Sequence, residues 1–542
     1  MLNIILFLTM LYVCIVALYR KNKEDELLKP MTFFEKYETY MVVGLFLVGI
    51  LVRVLWFWEF PAGFNQDEAS IGYDAFADVT FGMDRNGDHN PVYSVAWGSG
   101  HSSLYISFLH LTIKLFGLSV FSVRIVNVLF GCFGLFAFYG MLKRLRGRAA
   151  AFIGLFFMVI NPWHIMMCRW GLECNIFPNV FLIGLYFLAR GEEKPIFYYI
   201  SLFLFGVCLY AYGTSYMYIP VFLIIAAIYL LKNKKIKVKH LSVSALIFII
   251  TAIPIGIFMM VNFFGLEEFQ LSFISFPKQV SGRYNTTVTV LGGSFIETSW
   301  NNLKIFFKLL ITQSDTFIFN SIPMFGTIYM FSMPFVLLGL FSIIKDKENK
   351  GRLLVFSMLP ATFVLAALSE LNINRANILY VLLIYLAAEG LLFVYRKAKD
   401  WFFTVIPVFV IAFCLFTGYY FSIYQTQIAS WFFDGFGEAI QMAADETEGT
   451  VYLTEHVNGP YVYALFYEKV DPKEFIETVD YMNPNDSVRF VNSFGRFVTG
   501  IPQTPLEEKN VAYVASGWQE QNFSPEEFNK TQVGLYYVIT PK

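Results

Sequence analysis

Long apolar runs, separated by short charged stretches, recur along most of this chain. A helix needs about 20 apolar residues to cross the hydrocarbon core of a bilayer, and about twelve runs are of roughly that length. The pattern therefore predicts a polytopic α-helical membrane protein with about 12 transmembrane helices. The runs lie near residues 2–19, 41–58, 119–142, 149–167, 176–190, 196–212, 216–231, 241–262, 326–344, 353–369, 378–395 and 401–424.

Lysine and arginine residues gather in alternate connections between these runs, and their distribution predicts the orientation of the chain. Because positively charged loops stay in the cytoplasm, the remaining connections are predicted to face outward. The basic connections are residues 20–36, 143–148, 232–239, 345–352 and 396–399. The outward segments are a first outer loop at 59–118, a short loop at 168–175, a long outer loop at 263–325 and a loop at 369–377.

Beyond residue 424 the long apolar runs stop and shorter patterns take their place. Strand-like runs with alternating or β-branched residues are separated by helix-like segments such as 437–444, which predicts a small α/β domain on the outer side. The strand-like runs are 450–453, 487–491, 511–514 and 535–539. We therefore divide the chain into a transmembrane domain, 1–424, and a soluble extracytoplasmic α/β domain, 425–542.

The composition agrees with a membrane protein, because 56% of the 542 residues are hydrophobic and only 15% are charged. Such a balance does not occur in soluble folds. The net charge of −1 gives no reason to expect a nucleic-acid partner. The six cysteines lack the spacing of metal ligands. The first run has neither a basic start nor a cleavage site, so we expect a retained helix rather than a signal peptide.

Charged and aromatic residues of the predicted outer side fall into clusters that could form a site. The most notable is the adjacent pair Asp67 and Glu68, which directly follows the second apolar run. The other candidates are Asp84, Arg85, Trp97, His101, Arg124, Arg169, Glu173, Asn374 and Arg375. Arg124 and the pair Arg169 and Glu173 could equally be interface anchors or structural ion pairs. Their recurrence on one side favours an outward-facing site, because charge at a membrane is costly unless it is used.

Carboxylates beside cations at this surface suit the transfer of a sugar from a lipid phosphate. One carboxylate can take the proton of the acceptor hydroxyl as it attacks the anomeric carbon. Arginine side chains can bind the oxygens of the departing phosphate. A single displacement of this kind inverts the anomeric centre. The acids of the first outer loop lack the spacing of a divalent-cation site, so we expect no metal and no cofactor, the lipid-linked sugar being a substrate.

Several stretches resemble the C-type membrane glycosyltransferases of the protein O-mannosyltransferase and aminoarabinose transferase clan. The resemblance covers roughly residues 40–395 and is most specific at the adjacent acidic pair. The stretches are FNQDEASIGYDAF, DRNGDHNPVY, AWGSGHSSLY and LSVFSVRIVNVLFG in residues 59–130, then NPWHIMMCRWGLECNIFP and INRANILYVLLI. The extra first run at 2–19 departs from the usual start of that clan, and the tail is not part of the match.

The resemblance implies a role for several residues. Asp67 would be the catalytic base, and Glu68 would orient the acceptor or the sugar. Arg169 and Glu173 would shape the sugar and phosphate site. Arg375 would contact the lipid phosphate, with Arg85 as a second candidate for that contact. The donor would be a polyprenyl-phosphate-linked sugar, used at the outer face of what we expect to be a bacterial plasma membrane. Protein hydroxyls, lipids and wall glycans all stay open as acceptors.

Two other functions are compatible with the sequence. One is a transporter or flippase for a lipid-linked or wall precursor, although the chain has neither an inverted repeat nor matching broken helices in two halves. The other is a non-catalytic membrane platform whose tail binds wall polymer. A platform would explain the tail well but would leave Asp67 and Glu68 without a use.

Overall fold

The computed structural model describes residues 2–20, 32–97, 100–280, 289, 294–486, 488–504 and 510–542. The predicted basic connection at 20–36 and the predicted long outer loop lie in part outside these residues. Helices form most of the first 420 residues. In chain order they are α1 (Leu2–Tyr19), α2 (Thr32–Val54), α3 (Gln66–Phe81), α4 (Ser103–Phe116), α5 (Val120–Arg146), α6 (Arg148–Ile160), α7 (Pro162–Met167), α8 (Glu173–Arg190), α9 (Pro195–Val207), α10 (Ser215–Lys232), α11 (Val238–Phe263), α12 (Phe295–Thr312), α13 (Met333–Lys345), α14 (Arg352–Leu368), α15 (Asn377–Lys397) and α16 (Lys399–Tyr420).

Every predicted apolar run coincides with a helix, and within the described residues seven helices are long and apolar enough to cross a membrane. The chain is thus a multi-helix membrane protein, whereas the number of twelve spans stays a prediction. The seven candidate spans are Leu2–Tyr19, Tyr37–Val54, Val120–Arg146, Ser215–Lys232, Val238–Phe263, Asn377–Lys397 and Lys399–Tyr420.

One predicted run is broken for a clear local reason. The run at 149–167 forms two helices, because α6 ends at Ile160 and α7 begins at Pro162. Proline has no N–H to continue a helix but suits the first position of a new one. Asn161 caps that new helix, its side-chain oxygen accepting a hydrogen bond of 2.9 Å from the backbone N–H of His164.

Helix α15 lies at the centre of the bundle, and small residues let it pack closely against α13. A Cβ at Gly339 would lie 1.9 Å from the carbonyl oxygen of Leu386, and a Cβ at Gly390 would lie 2.0 Å from that of Phe335. Two helices can come this near only where glycine removes the side chain. Directly before Gly390, Glu389 accepts hydrogen bonds from two nitrogens of Arg146, at 2.7 and 3.0 Å.

The residues after α16 form short helices and a mixed sheet. The helices are α17 (Ile423–Ile428), α18 (Phe436–Glu446), α19 (Pro460–Glu468) and α20 (Pro472–Thr478). The strands of the whole chain are β1 (Tyr93–Ser94), β2 (His101–Ser102), β3 (Phe269–Leu271), β4 (Ile274–Phe276), β5 (Thr450–Leu453), β6 (Asp480–Tyr481), β7 (Val491–Phe494), β8 (Phe497–Thr499), β9 (Val511–Ser516), β10 (Phe528–Val533) and β11 (Tyr536–Pro541).

Seven of these strands form one sheet in the order β10-β11-β9-β5-β8-β7-β6. The central strand β5 runs parallel to both β8 and β9, and the outer pairs are antiparallel. Three predicted strand runs lie on β5, β9 and β11. The fourth, 487–491, is displaced: the strand is Val491–Phe494, which pairs with β8 across a tight turn.

The first outer loop and the C-terminal region share one hydrophobic core. Phe64, Tyr73 and Trp97 of the loop are buried in the same cluster as Tyr461 and Phe466 of α19. Hydrogen bonds cross the same junction: Tyr463 donates to the carbonyl oxygen of Phe64 at 2.7 Å, and Tyr73 donates to that of Val470 at 2.8 Å. The division at residue 424 stays a prediction, and this core crosses it.

Candidate active site

The acidic pair lies in the first turn of α3. Asn65 caps this helix: its side-chain oxygen accepts from the backbone N–H of Asp67 at 2.9 Å, and its own N–H donates to Glu68 at 3.1 Å. This reciprocal arrangement is a capping box, which fixes the first residue of the helix. Both carboxylates therefore lie at the positive end of the helix, where negative charge is stabilised.

Glu68 is completely buried, and its carboxylate is held by internal partners. Oε1 accepts from Nε of Arg124 at 2.9 Å and from the backbone N–H of Gly171 at 2.6 Å. Oε2 accepts from Nη2 of Arg124 at 2.9 Å and from Asn65. The arginine is also buried and donates to the carbonyl oxygens of Pro61 and Gly63. Glu68 and Arg124 thus hold α3 against α5, and they face the protein rather than an open site.

Asp67 has a different environment from its neighbour. Its side chain is partly exposed, whereas Glu68 has no exposed surface. The negative charges of Asp67 and Glu173 both act on Cys174, in the first turn of α8. Asp67 therefore lies beside the first turn of α8. Asn377, at the start of α15, holds that turn by donating to the carbonyl oxygen of Cys174 at 3.1 Å.

Glu173 connects α8 to the first outer loop. Its carboxylate accepts a hydrogen bond from the backbone N–H of Ser102 and lies 3.8 Å from Nδ1 of His101. The other ring nitrogen of His101 lies 3.5 Å from the hydroxyl of Ser70, one turn after Asp67 on α3. Glu173 and His101 thus lie together near the N-terminal half of α3.

Buried polar groups around Glu173 lack hydrogen-bond partners within the described part of the chain. They include the hydroxyl groups of Ser102 and Tyr216 and the side-chain N–H₂ of Asn175. The hydroxyls of Thr214 and Ser215, at the start of α10, are also buried without a hydrogen-bond partner among the described residues. Buried polar groups are almost always paired in folded proteins. These groups are therefore available to hydrogen-bond a polar ligand.

The segment at 212–216 was not among the predicted site residues. The phenol of Tyr212 is within electrostatic reach of the charged side chains of Glu173, in the first turn of α8, and Arg375. Tyr212 therefore lies between the start of α8 and the loop before α15. The signal in the sequence was a group of polar residues, YGTSY, between two apolar runs, which reads as an ordinary turn when it is considered alone.

Arg375 approaches the same region from the loop that precedes α15. The loop is tightened by the side chain of Asn372, which accepts from the N–H of Arg375 at 2.8 Å. Nη1 of Arg375 donates to the carbonyl oxygen of Glu370 at 2.9 Å, and the side chain is partly exposed. Asn374 is partly exposed in the same loop, and its carbonyl oxygen accepts from the N–H of Asn377 at 3.4 Å.

Arg169 binds carbonyl oxygens at the C-terminal end of α2. Its guanidinium donates to the carbonyl oxygens of Val52, Arg53 and Leu55, at 2.8, 3.1 and 2.7 Å. A cation is favourable at the C-terminal end of a helix, where unpaired carbonyls collect. The aromatic ring of Phe421 lies 4.8 Å from the guanidinium carbon. Arg169 is fully buried in these contacts, so its position is that of a helix cap.

Arg85 and Asp84 belong to a second polar cluster, farther along α3. Arg85 forms a paired salt bridge with Asp74, at 2.7 and 2.9 Å, and donates to the carbonyl oxygen of Ser70 at 2.7 Å. Burial raises the pKa of Asp84 well above its usual value, as do the charges of Asp74 and Asp88. Arg85 also lines a cavity of about 600 Å³ with Asp88 and residues of the C-terminal region.

Trp97 lies in the shared core rather than in an open site. Its ring meets the ring of Tyr461 edge to face, with centroids 5.6 Å apart. Its carbonyl oxygen accepts from the backbone N–H of Arg489 at 2.7 Å. Trp97 thus fixes the first outer loop to the C-terminal region. The residues next to it, Gly98 and Ser99, lie outside the described residues.

Within the described residues, no group of three or more histidine, cysteine, aspartate or glutamate side chains is arranged to hold a metal ion. The carboxylates of Glu68 and Asp74 are instead paired with arginines.

Comparison with protein families gives one match. Residues 101–258, less than a third of the chain, match the family model described as dolichyl-phosphate-mannose-protein mannosyltransferase. No curated protein sequence matches the chain. The matching segment begins at His101 and includes Arg124, Arg169 and Glu173, but it does not include the acidic pair.

Solved structures give a likeness of fold. An oligosaccharyltransferase from Archaeoglobus fulgidus, crystallised with Zn and sulfate, is 12% identical with a TM-score of 0.51, covering 79% of this chain and 61% of that one. The same enzyme tethered to an acceptor peptide has a TM-score of 0.50 at 12% identity, with 81% and 64% covered. The chain thus spans less than two thirds of the length of this enzyme. ArnT from Cupriavidus metallidurans, bound to undecaprenyl phosphate, has a TM-score of 0.44 at 13% identity, with 93% and 98% covered.

Proposed function

We propose that this chain, whose resemblance to the C-type membrane glycosyltransferases is confirmed by the family match and the fold, is an enzyme of that class. It moves a sugar from a polyprenyl-phosphate donor to an acceptor hydroxyl at the outer face of the membrane. The reaction is a single displacement that inverts the anomeric centre, with Asp67 as the base. The description of the matching family supports a lipid-phosphate donor.

The contrast between two adjacent carboxylates carries this proposal. Glu68 is fixed by four hydrogen bonds within the protein, and that attachment determines where the helix begins and how it is rotated. Asp67, one residue earlier, is partly exposed and acts electrostatically on Cys174 in the first turn of α8, the helix that also carries Glu173 and Asn175. A base must be held in reach of the proton that it removes, and this arrangement holds Asp67 rigidly at a polar site.

The carboxylate of Asp67 takes the proton of the acceptor hydroxyl while the hydroxyl oxygen forms a bond to the anomeric carbon. The bond between that carbon and the phosphate oxygen of the donor breaks on the opposite side, and its electron pair leaves with the lipid phosphate. Asp67 then releases the proton to solvent. The site needs no cofactor for this step, since the donor already carries an activated leaving group.

The leaving phosphate carries negative charge that the protein must stabilise. Arg375 supplies a cation that, like Glu173, acts electrostatically on Tyr212. Charge-assisted hydrogen bonds from a guanidinium to phosphate are among the strongest that proteins form. The hydroxyl of Tyr216 and the amide of Asn175 are further donors for the phosphate or the sugar. We propose that Asn374 positions the loop that carries Arg375.

The membrane arrangement in this proposal follows the distribution of charge. The shorter apolar helices, among them α6, α9, α13 and α14, complete a set of twelve spans together with α8 and the seven longer ones. Basic connections then lie in the cytoplasm, and the acidic pair, the 212–216 turn, the loop of Arg375 and the C-terminal region all lie outside. We propose a plasma membrane of bacterial type and an acceptor among protein hydroxyls, lipids and wall glycans.

Transfer of radiolabel tests the proposal. Purified chain in nanodiscs is incubated with a panel of polyprenyl-phosphate sugars and with protein, lipid and wall-glycan acceptor fractions. We expect one donor to lose its label to one acceptor fraction with release of free polyprenyl phosphate. Movement of intact donor across the bilayer without a covalent product would replace this proposal by a flippase. Absence of donor consumption across the panel would overturn it.

A further inference from the structure

A cavity lies at one edge of the C-terminal sheet, and the proposed reaction does not use it. Strands β5, β8 and β9 run parallel, so their carboxyl ends meet at one edge of the sheet. The segment after β5 crosses this edge before α19 begins. Ligands of open α/β sheets bind in the crevice outside the carboxyl ends of parallel strands. A cavity of about 360 Å³ lies at this position, a size typical of small-molecule sites, which are about 300–1,000 Å³.

Polar groups on one side of the cavity are held in place by neighbours. Glu455 accepts from the side-chain amide of Gln519 at 3.0 Å and from the N–H of Ile501 at 3.4 Å. His456 is oriented by Ser516, whose hydroxyl lies 2.9 Å from Nδ1 of the ring. Burial opposes ionisation of Glu455, but the hydrogen bonds from its own N–H, Gln519 and Ile501 lower its pKa. The cavity thus presents a fixed acceptor beside a ring that can donate or accept.

Aromatic and apolar groups form the opposite side. The ring of Tyr461 is buried at the base of the cavity, and Phe490 and Met482 line it from the hairpin of β6 and β7. Phe490 is 39% exposed and Met482 is 52% exposed, so both side chains are accessible to a ligand in the cavity. Among the described residues that line the cavity there is neither lysine nor arginine, so the cavity is not suited to a phosphate or another anion.

We propose that this cavity binds one neutral hexose residue of a glycan, separately from the sugar that is transferred. A hexose presents adjacent hydroxyl groups, which match the neighbouring Glu455 carboxylate and His456 ring. It also presents a face of C–H groups that packs on an aromatic ring such as Phe490. A peptide lacks this combination of closely spaced hydroxyls and a flat apolar face.

The cavity is coupled by packing to the first outer loop. Gly459, in the segment that crosses the edge of the sheet, has φ of +64°, and a Cβ there would lie 2.4 Å from the ring of Trp97. Tyr461 touches the same ring on its other side. A glycan held here would therefore lie on the wall of the domain that faces the loop carrying Asp67, and so would be retained near the proposed reaction.

Saturation-transfer NMR on the full chain in nanodiscs tests this binding site. The probes are the methyl pyranosides of mannose, glucose, galactose and N-acetylglucosamine, and a serine- and threonine-containing peptide. We expect one pyranoside to give a signal that falls about tenfold in Glu455→Gln, since a hydrogen bond to a charged group is lost, and that also falls in Phe490→Ala. The matched controls are Glu446→Gln and Leu535→Ala, both at exposed positions of the same region, which should keep the wild-type signal.

The outcomes separate this site from the proposed reaction. Asp67→Asn should keep the pyranoside signal, because the cavity does not include Asp67, whereas loss of transfer in that variant concerns the reaction alone. The proposed site is overturned if no pyranoside gives a signal with the wild-type chain. It is also overturned if the signal is the same in Glu455→Gln and Phe490→Ala as in the controls, or if only the peptide gives a signal that these variants remove.

Discussion

Nε and Nη2 of Arg124 donate to the two carboxylate oxygens of Glu68, each at 2.9 Å, and neither side chain is exposed to solvent. The pair joins the first turn of α3 to the start of α5 in the bundle. Because Gly171 and Asn65 donate to the same carboxylate, Glu68 has no oxygen turned toward a substrate. The expectation that Glu68 orients the acceptor or sugar is therefore replaced by a positioning role.

This pair predicts a large loss of stability for Glu68→Gln. The substitution leaves the buried guanidinium of Arg124 without its counter-charge, which typically costs about 3–5 kcal/mol. We expect a clearly lower midpoint of thermal unfolding for the detergent-solubilised variant. Asp67→Asn is the matched control, since its side chain is partly exposed, and it should unfold near the wild-type midpoint. Equal midpoints for Glu68→Gln and wild type would contradict the structural role of the pair.

Arg375 is expected to act on the donor rather than on the fold. Arg375→Ala should lower kcat/KM for the lipid-phosphate donor by about 10- to 100-fold, the loss expected for a charge-assisted hydrogen bond. Arg375→Lys should recover part of that loss, since it restores charge without the guanidinium geometry. Lys308→Ala, at an exposed position of α12, provides the control. If kcat/KM for the donor is the same in Arg375→Ala as in the control, Arg375 does not bind the donor.

The partly buried carboxyl group of Asp88 predicts how the stability of the chain depends on pH. Burial and the neighbouring charge of Glu268 raise the pKa of Asp88 to about 6. The folded chain therefore binds this proton more tightly than the unfolded chain, and stability is lost as the pH rises through about 6. Asp88→Asn removes that loss, so we expect its thermal midpoint to exceed the wild-type one by a few degrees at about pH 7.5 and to match it only below about pH 3.5, where the carboxyl group is protonated in both the folded and the unfolded chain. A difference that is equal at both pH values would contradict the shift.

Chelation tests the expectation that no metal takes part. The proposed stabilisation of the leaving phosphate relies on Arg375 and neutral hydrogen-bond donors. Transfer by the purified chain should therefore continue at an unchanged rate in excess EDTA. Loss of transfer that Mg²⁺ or Mn²⁺ restores would show that a cation shares this task.

The positions of most helices in the bundle could be predicted from the sequence, because each membrane helix has its own local run of apolar residues. The sequence analysis placed the acidic pair in the first outer loop, whereas the pair lies in the first turn of α3. What could not be predicted is which of the two acids faces inward, since that depends on the helix beginning at Gln66 and on Arg124, which is distant in the chain. Trp97 could not be distinguished from a ligand-stacking residue, because its core partner Tyr461 lies in the C-terminal region.

The central claim is that Asp67 is the base, and the rate of sugar transfer by Asp67→Asn tests it most directly. Asparagine keeps the size and the helix position but cannot take the proton, so transfer should fall by about 10²- to 10⁴-fold. The thermal midpoint and the binding of donor should stay close to those of the wild-type chain. A folded Asp67→Asn protein that transfers sugar at the wild-type rate would contradict the account.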